Sequence, residues 1–370
     1  MTADFDVVVI GAGVIGISIA RALAEQGLQT LLLEREQRFG TGASTRNTGC
    51  IHAGVYYHDD SLKGRLCKRG REMLYAFCVD HGIGHRRTGK LFIVTADEFL
   101  PGLDKLLAQG ARNGISDLVE LDSRAIKARE PHLDARAGLF CPHSGIVDTH
   151  ELMLTLLGMG EAAGLTYVAG APVEAAEQTA GGWRLHVGGQ DAARIDCRAV
   201  VNAAGIWGLA LSRAVFPGRA VPEARPSKGS FLRYDAPAPL ATIVYPDLVP
   251  GVITERVDAT PGLDGKLRFG PSVDETASAE DYDLPDDLVQ RMAPVIRAYL
   301  PDLDENRLVP EFAGVRPKIA APGGGLSDFM FDWASEDSTW LDLWGMESPG
   351  LTSCLAIAEH TQAALQERIH

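Results

Sequence analysis

A glycine-rich turn, one histidine in a hydroxyl-rich loop and one arginine before a proline are the parts of this 370-residue sequence best suited to chemistry. The turn is Gly11-Ala-Gly13-Val-Ile-Gly16. In such a turn the first glycine permits a tight bend after a strand, the second lets the backbone approach a pyrophosphate, and the third lets helix and sheet pack closely. The helix that follows adds N–H groups and the positive end of its dipole. Glu34 lies 18 residues after Gly16, where a carboxylate can accept hydrogen bonds from a ribose and would repel a 2′-phosphate. A dinucleotide is therefore expected and NADP is disfavoured; a glycine turn with no ligand is the plain alternative. His52 has a side chain that titrates near neutrality and suits a base that takes a hydroxyl proton. The plain alternative is a histidine hydrogen-bonded in the core. Arg316 sits in Gly314-Val-Arg-Pro, and its guanidinium can grip a carboxylate through two parallel hydrogen bonds. A salt bridge across a domain boundary is the alternative.

These residues need elements that deliver them to one place. Residues 6–11 are a short apolar run ending in glycine, which predicts a buried parallel strand. Helical periodicity follows over 14–26, and 30–34 predicts a second strand ending on Glu34, which completes a β-α-β unit. Further helices are expected over 61–80, 103–113, 123–130, 151–163 and 285–300. Strands are expected over 90–95, 166–169 and 199–203, with a hairpin at 173–177 and 183–186 around a Gly-Gly turn. Asp148 suits a helix N-cap where the chain crosses back. From 225 to 306 prolines and glycines are frequent and strands are short, as at 231–234, 241–245, 252–254 and 266–269, which predicts an antiparallel sheet. The expected fold is α/β with an α+β second domain. A Rossmann-type dinucleotide-binding domain would comprise 1–86, 145–224 and 311–370, interleaved with a mostly antiparallel substrate domain of 87–144 and 225–310.

Composition narrows the function. A net charge of −14 repels phosphate backbones, so no nucleic-acid role is expected. The six cysteines are scattered without a CxxC pair, so neither a zinc site nor a dithiol motif is expected, and free thiols in a reducing cytoplasm fit best. The apolar run at 7–23 is broken by three glycines and lacks a basic lead-in, so it reads as strand and helix rather than a targeting segment. No other apolar run approaches the roughly 18 residues of a transmembrane span. Peripheral contact with a membrane stays open.

Three later segments separate the possible dinucleotides. Thr41-Gly-Ala-Ser-Thr-Arg-Asn-Thr-Gly-Cys-Ile-His-Ala-Gly54 is small, hydroxyl-rich and able to wrap a ribityl chain. Asn202-Ala-Ala-Gly205 precedes Trp207 and ends a strand in small residues. Gly345-Met-Glu-Ser-Pro-Gly350-Leu-Thr-Ser-Cys354 leads into a helix whose free N–H groups suit the flavin N1/C2=O edge. Together they resemble the D-amino-acid-oxidase-type FAD oxidoreductase superfamily over essentially the whole chain. Within it the sequence is similar to the L-2-hydroxyglutarate dehydrogenase/oxidase family. That likeness is carried by Thr48-Gly-Cys-Ile-His52-Ala-Gly-Val-Tyr-Tyr57, Ser61-Leu-Lys, Lys228-Gly229, Gly270-Pro271, Ala313-Gly-Val-Arg316-Pro and Glu347-Ser-Pro-Gly-Leu-Thr-Ser353.

The resemblance implies non-covalent FAD, oxidation at a carbon bearing a hydroxyl beside a carboxylate, and a quinone or oxygen as electron acceptor. The residues placed toward the cofactor are Gly11, Gly13, Gly16, Glu34, Arg35, Ser44, Arg46, Asn47, Thr48, Gly49, Val173, Ala203, Gly205, Trp207, Gly314, Gly345, Gly350, Leu351, Thr352 and Ser353. Three places depart from the family pattern. Arg46 stands where a histidine is usual, which rules out histidyl-flavin attachment there. Arg268-Phe269 replaces a usual histidine before Gly270-Pro271, and Gly251-Val252-Ile253-Thr254 also lacks one.

The leading expectation is a small L-2-hydroxy acid, L-2-hydroxyglutarate being the named case, oxidised to the 2-oxo acid. His52 would act as base and Arg316 would hold the C1 carboxylate. Lys228 and Arg268 are candidates for a second anionic group. Neighbours on a strand point to opposite sides, so one of Tyr56 and Tyr57 would line the pocket, with Tyr57 the candidate. An amino-acid or secondary-amine oxidase is the second reading, because Arg46-Asn47 is closer to relatives of that kind. A flavoprotein subunit without its own small substrate is third, and an NAD-dependent dehydrogenase is fourth.

Overall fold

A computed structural model describes residues 3–248, 256–276, 278–320 and 327–369. The expected strand at 252–254 and the histidine-free run 251–254 lie outside the described residues.

The first strand, Phe5–Ile10, is buried from Val7 onward because both of its faces are covered. It pairs in parallel with Thr30–Leu33 on one side and Ala193–Asn202 on the other. The strand Ala193–Asn202 serves two neighbours on its other edge. Its first half pairs with the antiparallel hairpin Val173–Thr179/Gly182–Val187, and its end, Val200–Asn202, pairs in parallel with Trp340–Trp344. Helices Val14–Glu25, Thr149–Ala162 and Gly350–Ile369 cover one face with apolar residues such as Ile17, Leu156 and Ile357. Trp183, Leu185, Val200 and Trp340 pack on the other face.

The turn between the first strand and helix is tight in the way its glycines require. Gly11 has φ +99°, and a Cβ there would come within 2.8 Å of the Ala204 backbone. A Cβ at Gly16 would overlap the Gly11 carbonyl oxygen. The two glycines thus let the helix start hard against the sheet, which aims its N-terminus along the strand ends.

A second sheet of nine strands carries the rest of the chemistry. Lys90–Val94 pairs in parallel with Ile243–Pro246 and antiparallel with Ala137–Cys141. Ser227–Tyr234 runs antiparallel to Leu308–Arg316 along its length. The strand Leu308–Arg316 belongs to this sheet throughout, so the chain leaves the sheet after Arg316 and not at 311. The expected 285–300 helix is shorter, Leu288–Arg297, and its Leu288, Met292 and Ile296 fill the core under the sheet. Between the two layers lies a small sheet of Cys50–Ile51, Gly145–Val147 and His85–Arg86. There Asp148 caps the helix Thr149–Ala162 by accepting from the N–H groups of His150 and Glu151.

All six cysteines are buried free thiols. Among the described residues no cluster of three metal-ligating side chains forms, and no helix is long and apolar enough to cross a membrane.

Candidate active site

The nucleotide half of the site is built where three loops meet. Gly13 opens the helix Val14–Glu25 and has no side chain to cap it, which leaves the Ile15 and Gly16 N–H groups for a ligand. Ser44 reaches in from the hydroxyl-rich loop and accepts from the Val14 N–H at 3.0 Å. Glu34 accepts from the Ala12 N–H at 2.7 Å and from the Glu36 N–H at 2.9 Å. Its oxygens retain lone pairs for ribose hydroxyls. A Cβ on Gly13 would come within 3.0 Å of Ser44 Oγ, so glycine is what lets this serine close over the helix start. Backbone donors and a ribose-side acid together fit FAD. Glu34→Ala should weaken FAD binding about 10- to 100-fold, since it removes charge-assisted hydrogen bonds. Titration of apo-protein with FAD, followed by flavin fluorescence, would check this.

Other residues expected at the cofactor have local partners of their own. Arg35 pairs with Glu280 at 2.6 Å, and its guanidinium lies 4.1 Å from the Trp207 ring centroid. Ala203 continues the pairing of the first strand by donating to the Ile10 carbonyl at 2.9 Å. Gly205 turns the chain with φ +59°. Val173 starts its strand two residues after Ala171, whose N–H donates to the Glu34 carbonyl at 2.8 Å.

The loop that would meet the flavin ring is held by its own polar groups. The Asn47 amide donates to the carbonyls of Ala43 and Ser44 at 3.0 and 2.8 Å and accepts from Gly49 at 2.8 Å. Its amide is committed to holding the shape of the loop. Arg46 lies 3.8 Å from the Tyr282 ring centroid and donates to the Ala313 carbonyl at 3.4 Å. Thr48 is half-buried beside Gly49, whose carbonyl accepts from Val147 at 2.9 Å. A Cβ at Gly314 would overlap the Arg46 carbonyl oxygen, so glycine is what lets the second sheet touch this loop. Gly314→Ala should cost about 1–3 kcal/mol through overpacking. Lower Tm together with FAD loss on gel filtration is the expected result.

Gly345, with φ +67°, turns the chain toward the C-terminal helix, whose first residues are Gly350, Leu351, Thr352 and Ser353. A buried pair, Lys63–Glu347 at 2.7 Å, fixes the approach. The Thr352 hydroxyl accepts from the His52 N–H at 3.0 Å, which ties His52 to this helix start. His52 is 8% exposed. Its Nδ1 lies 2.9 Å from the Tyr56 hydroxyl and its Nε2 lies 3.2 Å from the Ser348 hydroxyl. Burial holds the His52 pKa well below the usual histidine value, and the positive charges of Lys90 and Arg256 push the same way. The imidazole is therefore neutral at physiological pH. Residues 55–57 form a turn, not a strand, so Tyr56 and Tyr57 fall on one side of the chain. Their ring centroids are 4.7 Å apart, and the Tyr57 hydroxyl lies 3.3 Å from Ser348 Oγ. Both tyrosines, not one, stand beside His52.

The three expected cations have different fates. Lys228 Nζ is 2.6 Å from Asp281. Arg268 is paired at 2.8 Å with both Asp264 and Glu311. Neither head is available for a substrate, which corrects the expectation of a distal anion site at these two residues. Arg316 ends its strand half-buried and has no ion pair among the described residues. The structure adds residues that the sequence reading missed. Lys90, Tyr245, Arg256 and Asp258 cluster on the second sheet, with Arg256 and Asp258 paired at 3.0 Å. A lysine opening the apolar run Lys90-Leu-Phe-Ile-Val was the available signal. Ser348 lay in a run already tied to the cofactor.

A dinucleotide cradle joined to a histidine site under a second sheet defines a flavoprotein oxidoreductase. Residues 6–364 match the family described as FAD dependent oxidoreductase, and the chain belongs to that family. It is 34% identical to the mitochondrial L-2-hydroxyglutarate dehydrogenase of Arabidopsis thaliana, over 96% of this chain and 82% of that protein. It is 26% identical to the human mitochondrial L-2-hydroxyglutarate dehydrogenase, over 99% of this chain and 90% of that protein. Among solved structures it superposes on FAD-bound L-α-glycerophosphate oxidase from Mycoplasma pneumoniae with a TM-score of 0.90 at 22% identity, covering 98% of this chain and 94% of that one. For glycine oxidase from Geobacillus kaustophilus the TM-score is 0.84 at 20% identity, with 99% and 96% covered. These structural likenesses speak for the fold.

Proposed function

We propose that this chain oxidises L-2-hydroxyglutarate, or a closely similar L-2-hydroxy acid, to the 2-oxo acid. Bound FAD supplies N5 as hydride acceptor. The observation that carries the reading is His52, a desolvated neutral imidazole set between Tyr56 and Ser348 at the start of the C-terminal helix. With its proton on Nδ1, His52 donates to the Tyr56 oxygen, and its Nε2 lone pair, which meets the Ser348 hydroxyl at 3.2 Å, turns to a substrate hydroxyl that displaces it. Burial favours the phenol of Tyr56 over the phenolate, so Tyr56 orients the ring without competing as a base. Arg316 holds the C1 carboxylate through its guanidinium fork. Phe92, Tyr245 and Ile243 form a buried apolar backing behind Tyr56. Electrons leave to a quinone or oxygen. A reducing cytoplasm suits the six free thiols.

The test is anaerobic bleaching of the visible flavin band. L-2-hydroxyglutarate should bleach it fast and the D-enantiomer should not. Bleaching by glycine, sarcosine or proline instead would replace this reading with amine oxidation.

A further inference from the structure

With Lys228 and Arg268 committed elsewhere, the second carboxylate of a hydroxy-diacid has no receptor among the residues expected for it. Lys90 occupies an unusual position. It is 1% exposed and opens a strand that is otherwise Leu-Phe-Ile-Val. Strand alternation sorts these side chains. Leu91 and Ile93 face the core beneath the helix Leu288–Arg297, whereas Phe92 and Val94 face Cys50, Ala53 and Val55. Lys90 has the parity of Phe92, so it points toward the segment that contains His52. Its Nζ lies 3.5 Å from the Tyr245 ring centroid and 5.8 Å from that of Phe92. The Phe92 ring meets Tyr56 edge-on at 6.3 Å, and Tyr56 reaches His52 at 2.9 Å.

No carboxylate lies within 4.0 Å of Lys90 among the described residues, although the nearby Arg256 has its own partner, Asp258. Among the described residues this buried ammonium meets aromatic faces, which compensate a desolvated charge only in part. A ligand anion would complete it. Asp258 is a buried carboxylate that feels three cations, Arg256, Lys90 and Arg316. Among the described residues neither Lys90 nor Arg316 has an ion pair of its own, so each can take one carboxylate of a dicarboxylate.

We infer that Lys90 is the specificity-determining residue that binds the distal carboxylate of a dicarboxylate substrate, while Arg316 binds the proximal one. The inference rests on the hydroxy-acid reading above. It makes this a site for diacids, with mono-acids bound only at their reactive end.

The test uses two unreactive probes on the FAD-loaded protein, glutarate and butyrate, titrated by the shift of the flavin absorbance. Wild type should bind glutarate about 10- to 100-fold more tightly than butyrate, the worth of one charge-assisted contact. Lys90→Met, close in shape but neutral, should lose that advantage, with butyrate affinity and flavin content unchanged. Lys90→Arg, which keeps the charge, should retain a preference for glutarate. A wild type that binds both probes alike overturns the inference without any variant, and so it can be tested even if Lys90→Met does not fold. A Lys90→Met protein that keeps its preference, or weakens both probes equally, also overturns it. If L-2-hydroxyglutarate bleaches the wild-type flavin and the probes bind alike, Lys90 alone is at fault. If no hydroxy acid bleaches it, the functional reading fails and takes the role of Lys90 with it.

Discussion

Replacing His52 with glutamine should slow flavin reduction by the hydroxy acid about 10²- to 10⁴-fold, the usual contribution of a positioned base. Glutamine is similar in length and can still bond to Tyr56 and Ser348, so bound FAD and substrate KM should stay near wild type. The pH profile supplies a second, independent readout. A protonated imidazole cannot accept the hydroxyl proton, so the rate falls on acidification through the His52 pKa. Burial lowers that pKa, and the cations Lys90 and Arg256 lower it further. The rate should therefore be flat through pH 7 and fall only below the ordinary histidine range. In the glutamine variant this acid limb should vanish. A variant that reduces its flavin at the wild-type rate would remove His52 from the chemistry and favour an amine substrate, which needs no base when bound uncharged.

The β-α-β unit was legible because its information is local. Gly11, Gly13, Gly16 and Glu34 lie on that one unit, and their spacing alone places the tight turn, the helix start and the acid after the second strand. The same holds for Asp148, whose capping partners are two and three residues away. The substrate half is different, because side-chain availability depends on distant partners. Asp281, which occupies Lys228, lies 53 residues away, and Glu311, which occupies Arg268, lies 43 residues away. Nothing in the spacing of a lysine or arginine announces such a partner. Tyr56 and Tyr57 were misjudged because alternation applies to strands, and the chain turns there instead. Lys90 was visible as an oddity in an apolar strand. Reading it needed the face it points to and its lack of an ion pair among the described residues, and both depend on the assembled sheets.

Replacing Arg316 with methionine should raise the KM for L-2-hydroxyglutarate about 10²-fold or more, with a smaller change in kcat. The estimate follows from two charge-assisted hydrogen bonds at about 1.5–3 kcal/mol each, partly offset by water that replaces them. The residue is well placed for the role. Its strand is pinned through Gly314 against Arg46, and its guanidinium lies over Gly229 of the neighbouring strand. Arg316→Lys keeps the charge but not the planar fork, so it should recover only part of the loss. Arg316→Glu should be worse than methionine, because it places a like charge against the substrate carboxylate. An unchanged KM in any of these variants would take Arg316 out of the site. The substrate itself offers the sharper comparison. If Arg316 and Lys90 hold opposite ends of one diacid, a mono-acid should suffer from Arg316→Met as much as the diacid does and should ignore Lys90→Met. The diacid should suffer from both, and the double variant should bring the two substrates to equal, poor KM values, since the end that distinguishes them would no longer be read.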